Sequence, residues 1–310
     1  MISLIVPTRN RAHTLRLVAP SYFAQDGVSE LIFVSDAGDD DTPAAIAEIA
    51  RQFPGKVFQV LRNEIRLGAS QARNVGVAAS TNELILFCDD DEYLEEGYAR
   101  ILLHKLQAPN AGAVSGRRIY LKPGESNAKA LQRFGSGIGT AKTFRPLICE
   151  YVNGAKFGGD MVIPITNAII LTKKSLLQQF PFDDYYARGN GYREETDFQM
   201  NLFVHGFDIH VTNDCHSFHL PLSEVRSGGQ RTAPLKRLYW SIFYTRYFFG
   251  KYYARYAERL RLKSPRWIAL LVFTIFAVYR ESLRPILHAI AMRALAPRNA
   301  SAERRPRLSG

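Results

Sequence analysis

Asp89, Asp90 and Asp91 follow one another directly after the apolar run at residues 84–88. Three adjoining carboxylates repel each other and lose solvation near a sheet edge, so they call for a cation or a set of donors. Oxygen ligands suit a hard divalent ion, Mg²⁺ or Mn²⁺, which can tie carboxylates to a substrate diphosphate and neutralise charge developing on a leaving group. A merely solvated acidic turn is the plainer account of such a run and, for the run alone, as common. A second acidic group, Glu194, Glu195 and Asp197, occupies the first turn of a helical stretch, where carboxylates also suit the helix dipole. Residues 226–231 (Arg-Ser-Gly-Gly-Gln-Arg) have the composition of a loop that closes on a diphosphate, or of a plain linker.

These side chains need a frame. Residues 2–6, 31–35, 57–61 and 84–88 are short apolar runs rich in β-branched residues, and segments of helical spacing at 14–24, 43–53 and 69–79 lie between them. The alternation predicts an α/β fold, a mostly parallel sheet flanked by helices, with ligands at the carboxyl ends of the strands. At those ends stand Pro7-Thr8-Arg9-Asn10-Arg11, then Asp36-Ala37-Gly38-Asp39-Asp40-Asp41-Thr42, then the aspartate triplet. Residues 110–160, including Gly135-Ser-Gly-Ile-Gly139, show little periodicity; they are read as a variable acceptor-side region and no elements are assigned there. A strand at 168–171, a helix from Lys173, a helix at 194–204 and a strand at 207–211 follow.

This succession resembles the large family of inverting glycosyltransferases of the GT-A fold, family 2, over residues 2 to about 100 and again from about 183 to 230. Val6-Pro7-Thr8-Arg9-Asn10-Arg11 matches the family's Val-Pro-Thr-x-Asn-Arg, which implies that Pro7, Thr8, Arg9 and Asn10 line a nucleotide pocket. Asp36 matches the base-recognising carboxylate after the second strand, with a one-residue shift before Gly38. The segment from Asn63 to Gly76 is similar to Asn-x-Gly-x-x-x-Ala-Arg-Asn-x-Gly and places Arg66 and Arg73 with the nucleotide-sugar; helix surface and capping account for Arg73 and Asn74 nearly as well. The resemblance gives Asp89 and Asp90 to the nucleotide-sugar and Asp89 and Asp91 to Mg²⁺ or Mn²⁺. His219, favoured slightly over His216, completes the metal site or touches the diphosphate. Gly191 to Phe198 is similar to Gly-Glu-Asp-x-Asp-Leu, where one carboxylate takes the acceptor hydroxyl proton. Glu195 falls on that position, with Asp197 as the alternative; acids that only favour the helix dipole are the simpler account.

Composition bounds the rest. The chain has 310 residues, 46% hydrophobic and 22% charged, enough for one catalytic domain and an appendage. Its net charge of +11 is uneven: residues 231–310 hold 17 Lys and Arg against three acids, the first 230 hold 23 against 26. Three widely spaced cysteines suggest neither a disulfide framework nor a zinc site. The first residues read as a strand rather than a leader, and nothing indicates export. Between 235 and 262, ten aromatic residues from Tyr239 to Tyr256 interleave with Arg246, Lys251 and Arg255, and 13 uncharged residues follow at 267–279. That is short of the roughly 20 a spanning helix needs. Contact with a membrane surface, or helices packed on the core, explains the pattern better than nucleic acid, for which no motif is present.

The expected organisation is a GT-A domain at 1–230, a basic aromatic helical appendage at 231–296 that rests on the membrane, and a disordered tail at 297–310. Its expected activity is transfer of a sugar from a nucleotide-diphosphate donor to a glycan or lipid-linked acceptor, at the cytoplasmic face. A sugar-phosphate nucleotidylyltransferase would need a Gly-rich phosphate loop after the first strand, and Thr8-Arg9-Asn10-Arg11 is not one. A catalytically silent sugar- or lipid-binding module is the alternative from another class.

Overall fold

The apolar runs become the parallel half of one sheet in the computed structural model, which describes residues 1–134, 143–153, 155–225, 232–284 and 287. β1 (Ile2–Thr8) lies between β2 (Val28–Asp36) and β4 (Leu84–Phe87), and β3 (Val57–Asn63) extends the edge, all parallel. β10 (Leu171–Lys173) then runs antiparallel between β4 and β6 (Ala111–Tyr120). β11 (Asp208–His219) is parallel to β6, while β5 (Glu92–Leu94) and β9 (Asp160–Val162) pair antiparallel with it. Six of the nine strands therefore share a direction, the mostly parallel sheet expected. β7 (Phe144–Arg145) and β8 (Glu150–Tyr151) form a separate ribbon.

Alternation along the strands fills two layers, because successive side chains of a strand point to opposite faces. Ile2, Leu4 and Val6 pack with α1 (Ala12–Phe23), α2 (Thr42–Ala50) and α4 (Tyr98–Lys105). Ile5, Ile32 and Val34 pack on the other face with α3 (Gly68–Ala79), α6 (Lys174–Gln179) and α7 (Glu194–Val204). A smaller cluster joins α5 (Asn127–Phe134) to β6.

The C-terminal part folds as two helices, α8 (Pro234–Arg259) and α9 (Arg266–Val278). The aromatic face of α8 is turned inward: Phe248, Phe249, Tyr252, Tyr253 and Tyr256 share a core with Met200 and Phe203 of α7 and Val211 of β11. Residues spaced by four on a helix lie one above the other, and Tyr244, Phe248, Tyr252 and Tyr256 are all buried. Among the described residues no helix is long and apolar enough to cross a membrane. The stretches 135–139 and 226–231 and the tail at 297–310, singled out above, lie outside the described residues.

Residues 110–160 hold more structure than periodicity indicated. β6 reads Ala-Gly-Ala-Val-Ser-Gly-Arg-Arg-Ile-Tyr, with glycines and arginines where a strand signal wants β-branched residues. The glycine at 116 is required by contact: a Cβ there would stand 2.5 Å from Tyr98 Cε2 and 2.7 Å from the Cys215 carbonyl. The amide of Gly116 donates to the Tyr98 hydroxyl at 2.9 Å, so strand and ring are locked together. Gly116→Ala is expected to lower stability by about 1–3 kcal/mol through overpacking. Urea unfolding measures this, and an unchanged midpoint would show that the contact is not tight.

Candidate active site

The carboxyl ends of β1, β2 and β4 open on a cleft of about 1430 Å³. Pro7, Thr8, Arg9, Asn10, Asp36, Arg66, Arg73, Asp89, Asp90, Asp91, Glu195 and His219 all line it. Of the described residues singled out for donor, metal and base, Asp197 and the less favoured His216 do not.

The three aspartates differ in their surroundings. Asp89 sits between two guanidiniums, one oxygen 3.2 Å from Arg73 and the other 3.0 Å from Arg118. Arg118 is fixed from behind by buried Glu92, 2.6 Å away, which also accepts from the Ser217 hydroxyl. Arg73 continues the line to Glu194 at 2.5 Å, and the Ser70 hydroxyl donates to Glu194 at 3.1 Å. Glu194, Arg73, Asp89, Arg118 and Glu92 thus alternate in sign across α7, α3, the β4–β5 turn, β6 and β5. Asp90 lacks such compensation. It accepts from the Thr8 hydroxyl at 2.8 Å and has Arg11 only at 4.0 Å. Burial and the neighbouring charge of Asp91 lift its carboxyl to about 7. Asp91 lies 3.7 Å from Arg11, and its other oxygen lies 3.7 Å from His219 Nε2. Nδ1 of that ring donates to the Leu220 carbonyl at 2.7 Å, since a carbonyl only accepts. With Nδ1 committed to that carbonyl, Nε2 is the ring nitrogen turned toward Asp91.

At the start of α7, Arg193 takes a left-handed backbone, φ 75°, and is buried. Its guanidinium donates to Thr245 Oγ1 of α8 at 2.9 Å and to the Cys149 carbonyl at 3.0 Å. Glu195 comes two residues later on the cleft wall. Burial first, then the charge of Glu194, push its carboxyl up to about 7, against the opposing pull of Arg73. Asp197 lies on the far side of the helix, as two steps of 100° demand. It is fully buried and accepts from Tyr186 at 2.9 Å, Tyr252 at 2.9 Å and Lys251 at 2.8 Å. Of the two carboxylates left open for proton transfer, only Glu195 reaches the cleft.

Other expectations resolve into local bonding. Asn74, in the middle of α3, clamps the backbone of Phe182, donating at 2.9 Å and accepting at 3.1 Å. Asp36 lines the cleft while accepting from Asn63 at 3.0 Å and from the amides of Leu67 and Gly68 at 2.8 Å each, which pins the entry to α3. Asn10 exchanges hydrogen bonds with Asp39 at 2.7 and 2.9 Å. Arg9 and Arg66 are exposed on the wall. His216 is held by Glu95 at 2.9 Å and is absent from the cleft lining. Among the described residues, no three His, Cys, Asp or Glu side chains converge closely enough to hold an ion. Arg118 was missed from sequence; its one signal was a pair of adjoining arginines in a segment otherwise small and apolar.

Comparison with known proteins bears on this cleft. The profile of the family described as Glycosyl transferase family 2 matches residues 3–184. A Campylobacter jejuni protein named GalNAc(5)-diNAcBac-PP-undecaprenol beta-1,3-glucosyltransferase is 27% identical over 210 residues, 67% of this chain and 62% of its own. An uncharacterized glycosyltransferase of Haemophilus influenzae is 33% identical over 112 residues, 36% of each chain. The chain thus spans less than two thirds of the length of these curated relatives. Among solved structures, Staphylococcus aureus TarS in complex with UDP superposes with a TM-score of 0.57 at 15% identity, over 91% of this chain and 72% of that one. The mannosyltransferase PcManGT of Pyrobaculum calidifontis, in complex with GDP-Man and Mn²⁺, gives 0.55 at 16% identity, over 96% and 88%. At such identities the likeness establishes the fold.

Glu195 also leaves a mark on stability. Its carboxyl is raised from 4.5 to about 7 in the folded chain, so between those values unfolding releases a proton and stability falls as pH rises. Below 4.5 both states are protonated and the effect vanishes. Glu195→Gln is therefore expected to match the wild type in urea unfolding near pH 4 and to exceed it at pH 8. An equal gap at both values would mean that the carboxyl is not perturbed.

Proposed function

Because the chain belongs to glycosyl transferase family 2, we propose that it moves a sugar, with inversion, from a nucleotide-diphosphate donor to a hydroxyl of a glycan or lipid-linked acceptor. The observation that carries this reading is the meeting, in one cleft, of Glu195 at the start of α7, its carboxyl lifted by burial to about 7, with the acidic wall at Asp89–Asp91. A general base works best when its pKa lies near the working pH.

In this reading the nucleotide lies over the ends of β1 and β2, against Pro7, Thr8, Asn10 and Asp36, with Arg9 and Arg66 beside the diphosphate. The nucleotide and nucleotide-sugar complexes of the two structural neighbours support a donor of this class. A divalent ion, Mg²⁺ or Mn²⁺, fits Asp91 and His219: the imidazole turns Nε2 toward Asp91 while its other nitrogen is anchored to a carbonyl, the arrangement of metal-binding histidines. Asp89 fits less well, since both its oxygens already face guanidiniums. Mg²⁺ commonly takes one or two protein groups and completes its shell with phosphate and water, so two side chains suffice. When bound, the ion neutralises charge on the departing diphosphate.

The chain's own residues do the rest. The acceptor oxygen attacks the anomeric carbon from the side opposite the diphosphate, the bond to the diphosphate breaks, and the hydroxyl proton passes to Glu195. Arg73 holds Glu194 and Asp89 in place, which fixes the base wall against the donor wall. The name of the Campylobacter jejuni relative, with its polyprenol-linked substrate, supports a lipid-linked acceptor, and the basic C-terminal region supports a position at the cytoplasmic membrane face.

Titration of UDP- and GDP-sugars with Mn²⁺, followed by transfer assays, tests the assignment. Asp91→Ala is expected to weaken metal-dependent donor binding. Glu195→Gln should keep donor affinity and lower transfer about 10²–10⁴-fold. Wild-type transfer should rise with pH through about 7 as Glu195 ionises. Full transfer by Glu195→Gln would move the base elsewhere, and unaltered donor binding by Asp91→Ala would remove the metal from this site.

A further inference from the structure

Helix α9 has two apolar faces and only one is covered. Ala269, Phe273 and Ala277 are fully buried against the molecule. Two residues out of phase, Trp267 is 66% exposed, Leu271 51%, Ile275 62% and Tyr279 45%, with Val278 beside them. Spacing by four makes these one continuous stripe, and Leu283 and Leu287 beyond the helix are exposed as well. Large apolar side chains scattered singly over a surface are ordinary; a contiguous row is not.

Charge says what covers it. Residues 232–284 contain eleven Lys and Arg against two acids, and α9 itself has no acid. Arg261, Lys263 and Arg266 are exposed at its start and Arg284 beyond its end. Cations at a helix N-terminus oppose the helix dipole, so they do not serve the helix. They suit an anionic surface, and a tryptophan with basic flanks beside an apolar row is the pattern of a helix lying in a lipid headgroup layer. The chain after α9 returns to the cleft, where Arg280 and Glu281 form part of the lining together with Arg237 of α8.

We infer that the Trp267–Leu271–Ile275–Tyr279 face of α9 docks on an anionic bilayer and so brings the acceptor side of the cleft to the membrane surface. This deepens the reading of the function and locates the contact on α9, since the aromatic face of α8 is spent in the core. Vesicle binding is measured without sugar or metal, so it stands or falls apart from the transferase assignment.

Full-length protein is mixed with vesicles of equal parts phosphatidylglycerol and phosphatidylcholine, or of phosphatidylcholine alone, and sedimented. Binding to the anionic vesicles is expected to be at least about tenfold stronger. The double variant Leu271→Glu/Ile275→Glu should lose at least about tenfold of it while keeping the wild-type unfolding midpoint and donor affinity. Lys263→Glu/Arg266→Glu, which leaves the apolar row intact, should also weaken the anionic binding. A blue shift of tryptophan emission on vesicles should vanish in Trp267→Phe. Absence of binding to anionic vesicles, or undiminished binding by both double variants, overturns the inference. So does a wild-type dimer that Leu271→Glu/Ile275→Glu makes monomeric, which would assign the stripe to a second copy. Vesicle binding that appears only after removal of the residues beyond 287 would assign it to the chain's own end.

Discussion

The molecule is organised around a row of charge that alternates in sign, Glu194, Arg73, Asp89, Arg118, Glu92, buried but for Asp89 at the cleft, with contacts of 2.5, 3.2, 3.0 and 2.6 Å. Each charge would be costly to bury alone, and removing one member of such a set strands its neighbours. The row joins α7, α3, β6 and β5, elements far apart in the chain, so it positions the two walls of the cleft relative to one another. It also sorts the acids. Asp89, Glu92 and Glu194 are neutralised by arginine and spend their charge on architecture. Asp90 and Glu195 lie outside the row, and their carboxyls rise to about 7. Among the described residues, neither has a guanidinium within hydrogen-bond distance, Arg11 standing 4.0 Å from Asp90.

Much of this was legible in the residues. The parallel half of the sheet follows from apolar runs separated by helical periods, and the polar residues at the strand ends do meet in one cleft. Other parts were legible and not read. Residues 195 and 197 of one helix cannot face the same way, so the ambiguity between Glu195 and Asp197 was open to the helical period alone. The aromatic residues at 244, 248, 252 and 256 carry the spacing of a buried face, and they are buried.

β6 was beyond such reading. Nothing local makes Ala-Gly-Ala-Val-Ser-Gly-Arg-Arg a strand; its glycine is set by the Tyr98 ring and the Cys215 carbonyl, and its arginine by Glu92 and Asp89. These partners are 18 to 99 positions away in sequence, and tertiary contact overrides weak local propensity. Arg118 was lost with the strand that carries it. The same dependence explains Asp36, whose carboxylate is committed to the amides of Leu67 and Gly68, a turn that only the folded chain brings near.

Three hydrogen bonds between the start of α7 and α8 bracket Glu195. On one side Arg193 is fastened to Thr245, on the other Asp197 is fastened to Lys251 and Tyr252. A backbone pinned two positions before and two after has no room to drift, so the rotatable bonds of the Glu195 side chain are the freedom left between the pins. The extra methylene of glutamate over aspartate then acts as a short tether of defined reach, swung from a fixed pivot. That pivot is made in part by a helix from the last quarter of the chain, so residues beyond 230 help to hold Glu195 in its place on the cleft wall.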